Sequence, residues 1–396
     1  MKLFFYFLFL LLILLSSTVR AFELSGNISL QARHFFDEPL DQNQHRHYNS
    51  FAIEPEFYHA WDGDQQSLNF TAFYRYDQHD DERTHADIRE LSWLKVFNDW
   101  ELTVGLSKVF WGVTESQHLV DIINQTDQVE NTDGEDKLGQ PMIRFSTEQD
   151  WGLVDFFILP GFRERTFSGI EGRPRFEVPA GLVFDADAAS YESADEENHV
   201  DYAIRWMGFF DEIELGLSYF TGTGREPESF LINGITLAPH YVLIEQIGID
   251  IQAIIRDWTW KLESINRKST TQTYNALTGG FEYTLYGILD SQTDLGIVIE
   301  YLYDDRDELA TSPFQNDLTT AFRLALNDSQ SSEVLIGIIS DLDDSTVAGF
   351  IEASRRLGDK FKLTLEAKLF KNTIISRPLY NFRQDNHLQA DIAWYF

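Results

Sequence analysis

The sequence predicts an all-β chain, a single closed antiparallel transmembrane β-barrel of about 18 strands, or about 16 if the weakest pair is dropped. Three observations lead there. Segments of about ten residues with period-two alternation recur along the chain, separated by turn residues, so each strand has one apolar and one polar face. After residue 15 no stretch holds enough consecutive apolar residues for a membrane-crossing helix. Nothing repeats at the period of a propeller blade, and aromatic residues gather at strand ends, where the two interfaces of a membrane barrel need them.

The chain has 396 residues, 31 basic and 64 acidic, 14% aromatic and no cysteine. Lys2, an apolar run over 3–15, and Val19-Arg20-Ala21 have the order of a secretory signal peptide, expected to be cleaved after Ala21. The competing reading, an N-terminal anchor, needs a longer apolar run. With 1–21 removed, 22–396 are expected to form one domain carrying 29 basic and 64 acidic residues. That balance argues against a nucleic-acid partner. Without cysteine the chain is neither lipid-anchored through a thiol nor stapled by disulfides.

Strands are expected in order at 23–34, 50–61 and 67–76, the last two joined by Asp62-Gly63-Asp64. Those at 85–96 and 100–110 turn at Phe97-Asn98-Asp99. A polar interruption, 112–140, is too long for a strand and is loop one. Strands 142–146 and 153–159 follow, then loop two, 160–199. Further strands are expected at 200–207, 213–220, 241–255, 258–265, 280–289, 295–303, 318–326, 333–339, 347–355, 361–370 and 386–396. Connections alternate short and long, as inner turns and outer loops of a membrane barrel do, and an even strand number leaves both termini on the short-turn side.

The final stretch, NHLQADIAWYF, alternates Leu388, Ala390, Ile392, Trp394 and Phe396 with polar residues. It resembles the terminal strand of Gram-negative outer-membrane barrels, whose last aromatic is read by the barrel-assembly machinery. That resemblance implies Phe396 as the assembly signal and the bacterial outer membrane as the location. Trp111-Gly112 followed by Asp121-Ile122-Ile123-Asn124-Gln125-Thr126-Asp127 is similar to a motif of large, poorly characterised outer-membrane porin-like families. GGFEYTL at 279–285, EYLYDDR at 300–306 and the stretch 312–328 look like the same group. The resemblance implies a barrel and its location, and no particular solute.

A barrel this wide is not filled by its own side chains, so the two long loops are expected to fold into the lumen. Arg163, Arg165, Arg173 and Arg175 crowd loop two of a very acidic chain. Guanidinium forks match carboxylate or phosphate, so with Asp121 and Asp127 of loop one they are candidates for a constriction that holds anionic solutes. The alternative is that they pair with acidic neighbours and pin the loop. Alternation turns Asp155, Arg205, Glu263, Glu282, Glu300, Arg323, Glu352, Lys362, Glu366, Lys368 and Asp391 into the lumen, because a charge on the lipid face is costly.

Acidic clusters at Asp77–Glu82, 133–136, 192–197 and 304–307 belong to expected outer loops, where divalent cations can bridge to lipopolysaccharide phosphates; solvated loops give the same pattern. No cofactor is implied. His79 beside Asp77, Asp80 and Asp81 is the one enzyme-like grouping, and without a nucleophile elbow it does not make an enzyme. The expected function is a porin-like channel, monomeric or trimeric, for passive or substrate-selective passage of small hydrophilic or anionic solutes. Its expected partners are outer-membrane lipid, lipopolysaccharide, the assembly machinery and the solute. The alternative is a non-transport barrel, adhesive or structural, acting through acidic surface loops.

Overall fold

The computed structural model describes residues 22–307 and 310–396; the expected signal peptide, 1–21, lies outside them. Eighteen strands form one sheet in which sequence neighbours pair antiparallel and the first strand pairs with the last, so the sheet is closed. The wall opens with β1 (Glu23–Phe35), β2 (His47–Trp61), β3 (Gln66–Asp77), β4 (His85–Val96) and β5 (Trp100–Ser107). Loop one, 108–139, leads to β6 (Gln140–Gln149) and β7 (Gly152–Pro160). Loop two, 161–199, contains β8 (Val183–Phe184) and β9 (Ser190–Tyr191), after which the wall resumes with β10 (Val200–Phe210) and β11 (Ile213–Thr223).

A hairpin, β12 (Glu228–Ile232) and β13 (Thr236–Tyr241), stands outside the barrel sheet and pairs with β8 and β9. The wall continues through β14 (Leu243–Ile255), β15 (Trp258–Ser269), β16 (Thr273–Leu285), β17 (Asp294–Asp304) and β18 (Asn316–Ala325). It ends with β19 (Glu333–Asp341), β20 (Val347–Leu357), β21 (Phe361–Lys371) and β22 (His387–Tyr395). β22 lies along β1 from Asn27 opposite Tyr395 to Phe35 opposite His387. Both strands begin or end at the short-turn rim, so the described chain starts and finishes there.

The alternation is inverted relative to a soluble sheet. Leu30, Tyr76, Phe156, Ile204, Ile247, Phe322, Ile338 and Ile392 point outward and are exposed, while Gln31, Arg33, Arg75, Arg205, Glu263 and Glu300 point inward and are buried. In water such an apolar exterior would be strongly unfavourable; against lipid hydrocarbon it is the solvated face. Outward rings form two belts. Trp258, Trp260, Phe281 and Tyr283 pack together at the short-turn rim, and Tyr74, Tyr76, Tyr202, Tyr301 and Tyr303 lie towards the long-loop rim.

The eighteen wall strands all have counterparts in the sequence reading, but several bounds differ and the short strands outside the wall were not expected. β16 begins at Thr273 rather than Gly280, because Gly279-Gly280 is a place of close approach, not a turn. A Cβ on Gly280 would lie 1.9 Å from the Ile299 carbonyl oxygen. The segment 221–239, read as plain loop, contains β12 and most of β13. β3 and β4 also slip register between Thr71 and Ala72, a bulge at which the inward face changes parity along β4.

Candidate functional site

Loop one folds into the barrel, and two wall glutamates hold it. Glu263, fully buried, accepts from Val113 N at 2.7 Å, Thr114 N at 3.0 Å, Thr114 Oγ1 at 2.7 Å and Val120 N at 3.2 Å. Glu300 accepts from Glu115 N at 2.9 Å, Ser116 N at 2.8 Å and Ser116 Oγ at 2.7 Å. A carboxylate receiving several N–H donors is a strong anchor for irregular backbone, whose amides must find partners once water is excluded. Gly112 permits this approach: it has φ +149°, and a Cβ there would sit 2.8 Å from His118 Nδ1 and 3.0 Å from Glu263 Oε1.

Each residue of the loop-one motif has a place. Trp111, Val120, Ile122 and Ile123 pack against Phe157, Leu159, Phe220, Ile244, Ile265 and Tyr274 of the inner wall, an apolar core inside the barrel. The Asn124 amide accepts from Val109 N and donates to the carbonyls of Ser107 and Leu138, closing the base of the loop. Asp121 pairs with Lys137 at 3.2 Å; burial raises its carboxyl, and Lys137 opposes that only in part. Asp127 lies 2.6 Å from Arg89 and accepts from Thr166 of loop two. Burial alone would raise it, but His85, Arg89 and Thr166 together hold it well below the usual carboxylate range.

The far side of loop one is held by β3, the β3–β4 connection and β21, besides Arg89 of β4. Arg75 pairs with Glu130 at 2.7 Å, Arg83 donates to the Val129 carbonyl at 2.8 Å, and Lys368 reaches Asn131 at 2.8 Å and Asp133 at 3.1 Å. The loop therefore reaches from the β15–β17 wall across to β3, β4 and β21. His118 joins its two limbs, with Nε2 3.1 Å from Glu135 and Nδ1 3.7 Å from Glu263. Burial opposes its charge, but Glu135 and Glu263 prevail and push the imidazole up to about 10.

The four arginines of loop two do not converge. Arg163 pairs with Asp87 of β4 at 2.8 Å and donates to the Gly139 carbonyl. Arg165 donates to the Arg225 carbonyl and to Gln125, and burial lowers its guanidinium. Arg173 pairs with Asp385 at 2.7 Å and donates to the carbonyls of Asp37, His45 and Gln384, on the β1–β2 and β21–β22 side. Arg175 has a buried Nε with no partner among the described residues. Three of the four thus bind protein acceptors in three different places, the loop-pinning arrangement, and no joint anion pocket results.

The inward residues fall into two sets. Asp155 is bound by Arg144 and Ser146, and Arg205 forms a two-pronged pair with Asp250 at 2.8 Å for both bonds. These are internal to the wall. Arg323 bridges Glu282 to Glu115 of loop one, with Arg323–Glu115 at 2.7 Å and Arg323–Glu282 at 3.4 Å. Burial would raise the Glu115 carboxyl, but Arg323 and Lys261 outweigh it and hold it low.

Across from these, Glu352 faces Glu366 directly in the β20–β21 register, and Asp391 lies one strand further on, accepting from Gln31 at 2.8 Å. No hydrogen bond or ion pair engages the Glu352 or Glu366 carboxylate among the described residues. Lys362 and Lys368 flank them on β21. Between loop one and the β1–β4 wall lies a cavity of about 400 Å³, lined among others by Asn27, Ser29, Glu54, Lys108, Glu135, Asp136 and Lys137. Burial, with Asp133, Glu130 and Asp127 nearby, pushes the Asp136 carboxyl up to about 7.

The sequence reading missed Glu54, Arg75, Asp87, Arg89, Lys108 and Glu130. The first four carry the same alternation signal as the residues it selected, although the bulge beside Arg89 interrupts it in β4. Lys108 and Glu130 belong to an irregular segment with no period to read. The acidic outer loops are partly structural: Asp77 pairs with Arg83, Asp80 accepts from Gly169 N, and Asp304 pairs with Arg306. Among the described residues two groups bring three metal-ligating side chains together, His85/Asp127/Glu130 and His45/His79/Glu171. In the first, Arg89 and Arg75 already occupy the carboxylates.

No family model matches the chain, and neither does any curated protein. Among solved structures the chain resembles Wzi of Escherichia coli, described as an outer-membrane protein involved in group 1 capsule assembly and a carbohydrate-binding β-barrel. The identity is 9%, covering 93% of this chain and 84% of that one, with a TM-score of 0.53. A loop-deletion variant of OmpT, an outer membrane protein of Vibrio cholerae, aligns at 9% identity over 95% and 99% of the chains, TM-score 0.47. A mutant of the Rh. blastica porin aligns at 11% over 95% and 100%, TM-score 0.44. At such identities the likeness is one of fold.

Proposed function

We propose that this chain is a porin-like channel of the Gram-negative outer membrane that passes small hydrophilic solutes, with a preference for cationic ones. The observation that carries the reading is loop one. It is drawn into the lumen and held by Glu263 and Glu300, so that it narrows a barrel that would otherwise be wide open. Among the described residues, the charges beside it that no hydrogen bond or ion pair engages are mainly acidic: Glu352, Glu366, Glu54 and Asp136, against Lys108 and Lys362. Anionic solutes lose their expected carrier, because Arg163, Arg165 and Arg173 are bound to acceptors of the protein itself. Outer-membrane lipid and lipopolysaccharide would contact the aromatic belts and acidic rim, and the assembly machinery would insert the barrel, as monomer or trimer.

Purified protein in planar bilayers tests this. Reversal potentials in a salt gradient should show cation preference, and the double variant Glu352→Gln, Glu366→Gln should lower the cation-to-anion ratio. Arg163→Ala should change it little. An anion-preferring pore, or a ratio moved by the arginine variant and not by the glutamate pair, overturns the reading. A folded barrel that never conducts would instead favour a role carried by its outer loops.

A further inference from the structure

We infer that His45, His79 and Glu171 form a site for one late first-row divalent cation, of the zinc, nickel or cobalt class, on the long-loop rim. The three residues come from separate connections: 36–46, 78–84 and loop two. One ligand atom from each lies within 4.8 Å of the other two, and His45 Nε2 is 4.0 Å from Glu171 Oε2. Metal–ligand bonds of about 2.0–2.2 Å at tetrahedral angles put donor atoms roughly 3.3–3.6 Å apart, so closure needs about 1 Å of side-chain movement. The two imidazoles stack with centroids 3.7 Å and planes 21° apart; because a ring nitrogen binds an ion in its own ring plane, one imidazole must also turn before both nitrogens face the same ion.

Their backbones are fixed independently of any ion. The Tyr48 hydroxyl donates to the Glu171 carbonyl at 2.6 Å and accepts from His45 N at 3.0 Å, so one side chain ties two of the three segments. Gln44 donates to the Gly172 carbonyl at 2.8 Å, and Asp77 accepts from His79 N at 3.1 Å. Tyr48 also meets the His79 ring edge-on at 5.4 Å. Neither imidazole has a hydrogen-bond partner among the described residues, so their nitrogens are uncommitted apart from the long approach of His45 to Glu171.

The donor set selects the ion. Two imidazole nitrogens with one carboxylate suit zinc, nickel, copper or cobalt and do not suit calcium or magnesium, which take oxygen ligands. Three protein ligands leave a fourth position open to water. The other His-carboxylate group cannot serve, since two guanidiniums already stand where a cation would. Bound metal would staple three outer loops together beside the barrel mouth.

The test uses full-length refolded or membrane-extracted barrel without a histidine tag, titrated with Co²⁺ and followed by its visible absorption. One equivalent should bind, giving a four- or five-coordinate spectrum that Zn²⁺ displaces. His45→Ala and His79→Ala should each weaken binding by roughly tenfold or more, the least expected from losing a direct ligand. His34→Ala, on the outer face of β1, should leave it unchanged. Heat-modifiable mobility verifies that every variant is folded. Binding that is absent in the wild type, or equally tight in the His45→Ala, His79→Ala double variant, overturns the site; whether the barrel conducts does not enter the result.

Discussion

Replacing Glu263 with Ala should release loop one while leaving the barrel closed. The side chain takes four hydrogen bonds from loop one, at 2.7, 3.0, 2.7 and 3.2 Å, and lies fully buried. A hydrogen bond to a charged group contributes roughly 1.5–3 kcal/mol net, and such bonds in one cluster are not additive. Taking about 3 kcal/mol for the whole set, local opening of residues 113–120 becomes about 100-fold more frequent, at one decade per 1.4 kcal/mol. The backbone ladder of β15 with β14 and β16 does not use this side chain, so the wall survives. Hydrogen exchange in micelles reads the effect directly: the amides of Val113, Thr114 and Val120 should lose about two decades of protection while those of β15 keep theirs. Glu263→Gln, which retains an acceptor oxygen without charge, should fall between. Unchanged protection of these amides in a folded Glu263→Ala barrel would refute the anchoring argument.

Three further outcomes follow from the same contacts. Asp136 has its folded-state carboxyl raised to about 7, so its ionisation opposes docking: loop one should be held most firmly below the unfolded value and loosen as pH rises from about 4 to 7. Asp136→Asn should abolish that dependence of loop-one hydrogen exchange. Arg173→Ala leaves Asp385 buried without its partner and removes donors from several carbonyls, so loop two should become protease-sensitive near 173, at a local cost of about 3–5 kcal/mol. Unchanged digestion would mean the pin is dispensable. Deleting Phe396 removes the N–H bonded to the Gly26 carbonyl at 3.1 Å and a ring that packs at Gly26, and should lower the yield of heat-modifiable barrel in the membrane; normal yield would show that the terminal ring is not needed for assembly.

The wall was largely legible in the sequence because period two is enforced twice, by lipid outside and by a polar lumen inside. Glu263, Glu282, Glu300 and Arg323 could therefore be turned inward without any knowledge of their partners. A bound failed where a glycine pair meant contact rather than a turn, as at Gly279-Gly280; the bounds of β4 held, but a bulge shifted its inward parity at Arg89. Loop one could be identified but not its path, because Trp111, Ile122 and Ile123 show no period and acquire meaning only against Phe157 and Ile265 on distant strands. Loop two shows the converse. Four arginines close in sequence read as one cluster, yet an irregular chain of that length carries Arg163 to β4 and Arg173 to the β1–β22 seam.

The same contacts bear on how an acidic protein would set its selectivity. The formal charge of −33 does not act as a unit. Glu263 and Glu300 are used as acceptors for loop backbone, and Asp250, Asp155 and Asp127 are matched by Arg205, Arg144 and Arg89. At ~0.15 M salt the Debye length is ~8 Å, so the acidic outer loops fade before the interior of the barrel is reached. What remains to act on a solute is the local set beside loop one. Among the described residues Glu352 and Glu366 face each other there with no hydrogen-bond donor, and Lys368, though near both, pairs with Asp133. A guanidinium already bonded to a carboxylate offers a passing anion little, since leaving that partner strands a buried charge. On the proposed channel reading the balance would therefore tip to cations through two glutamates rather than through the excess of acid in the chain as a whole.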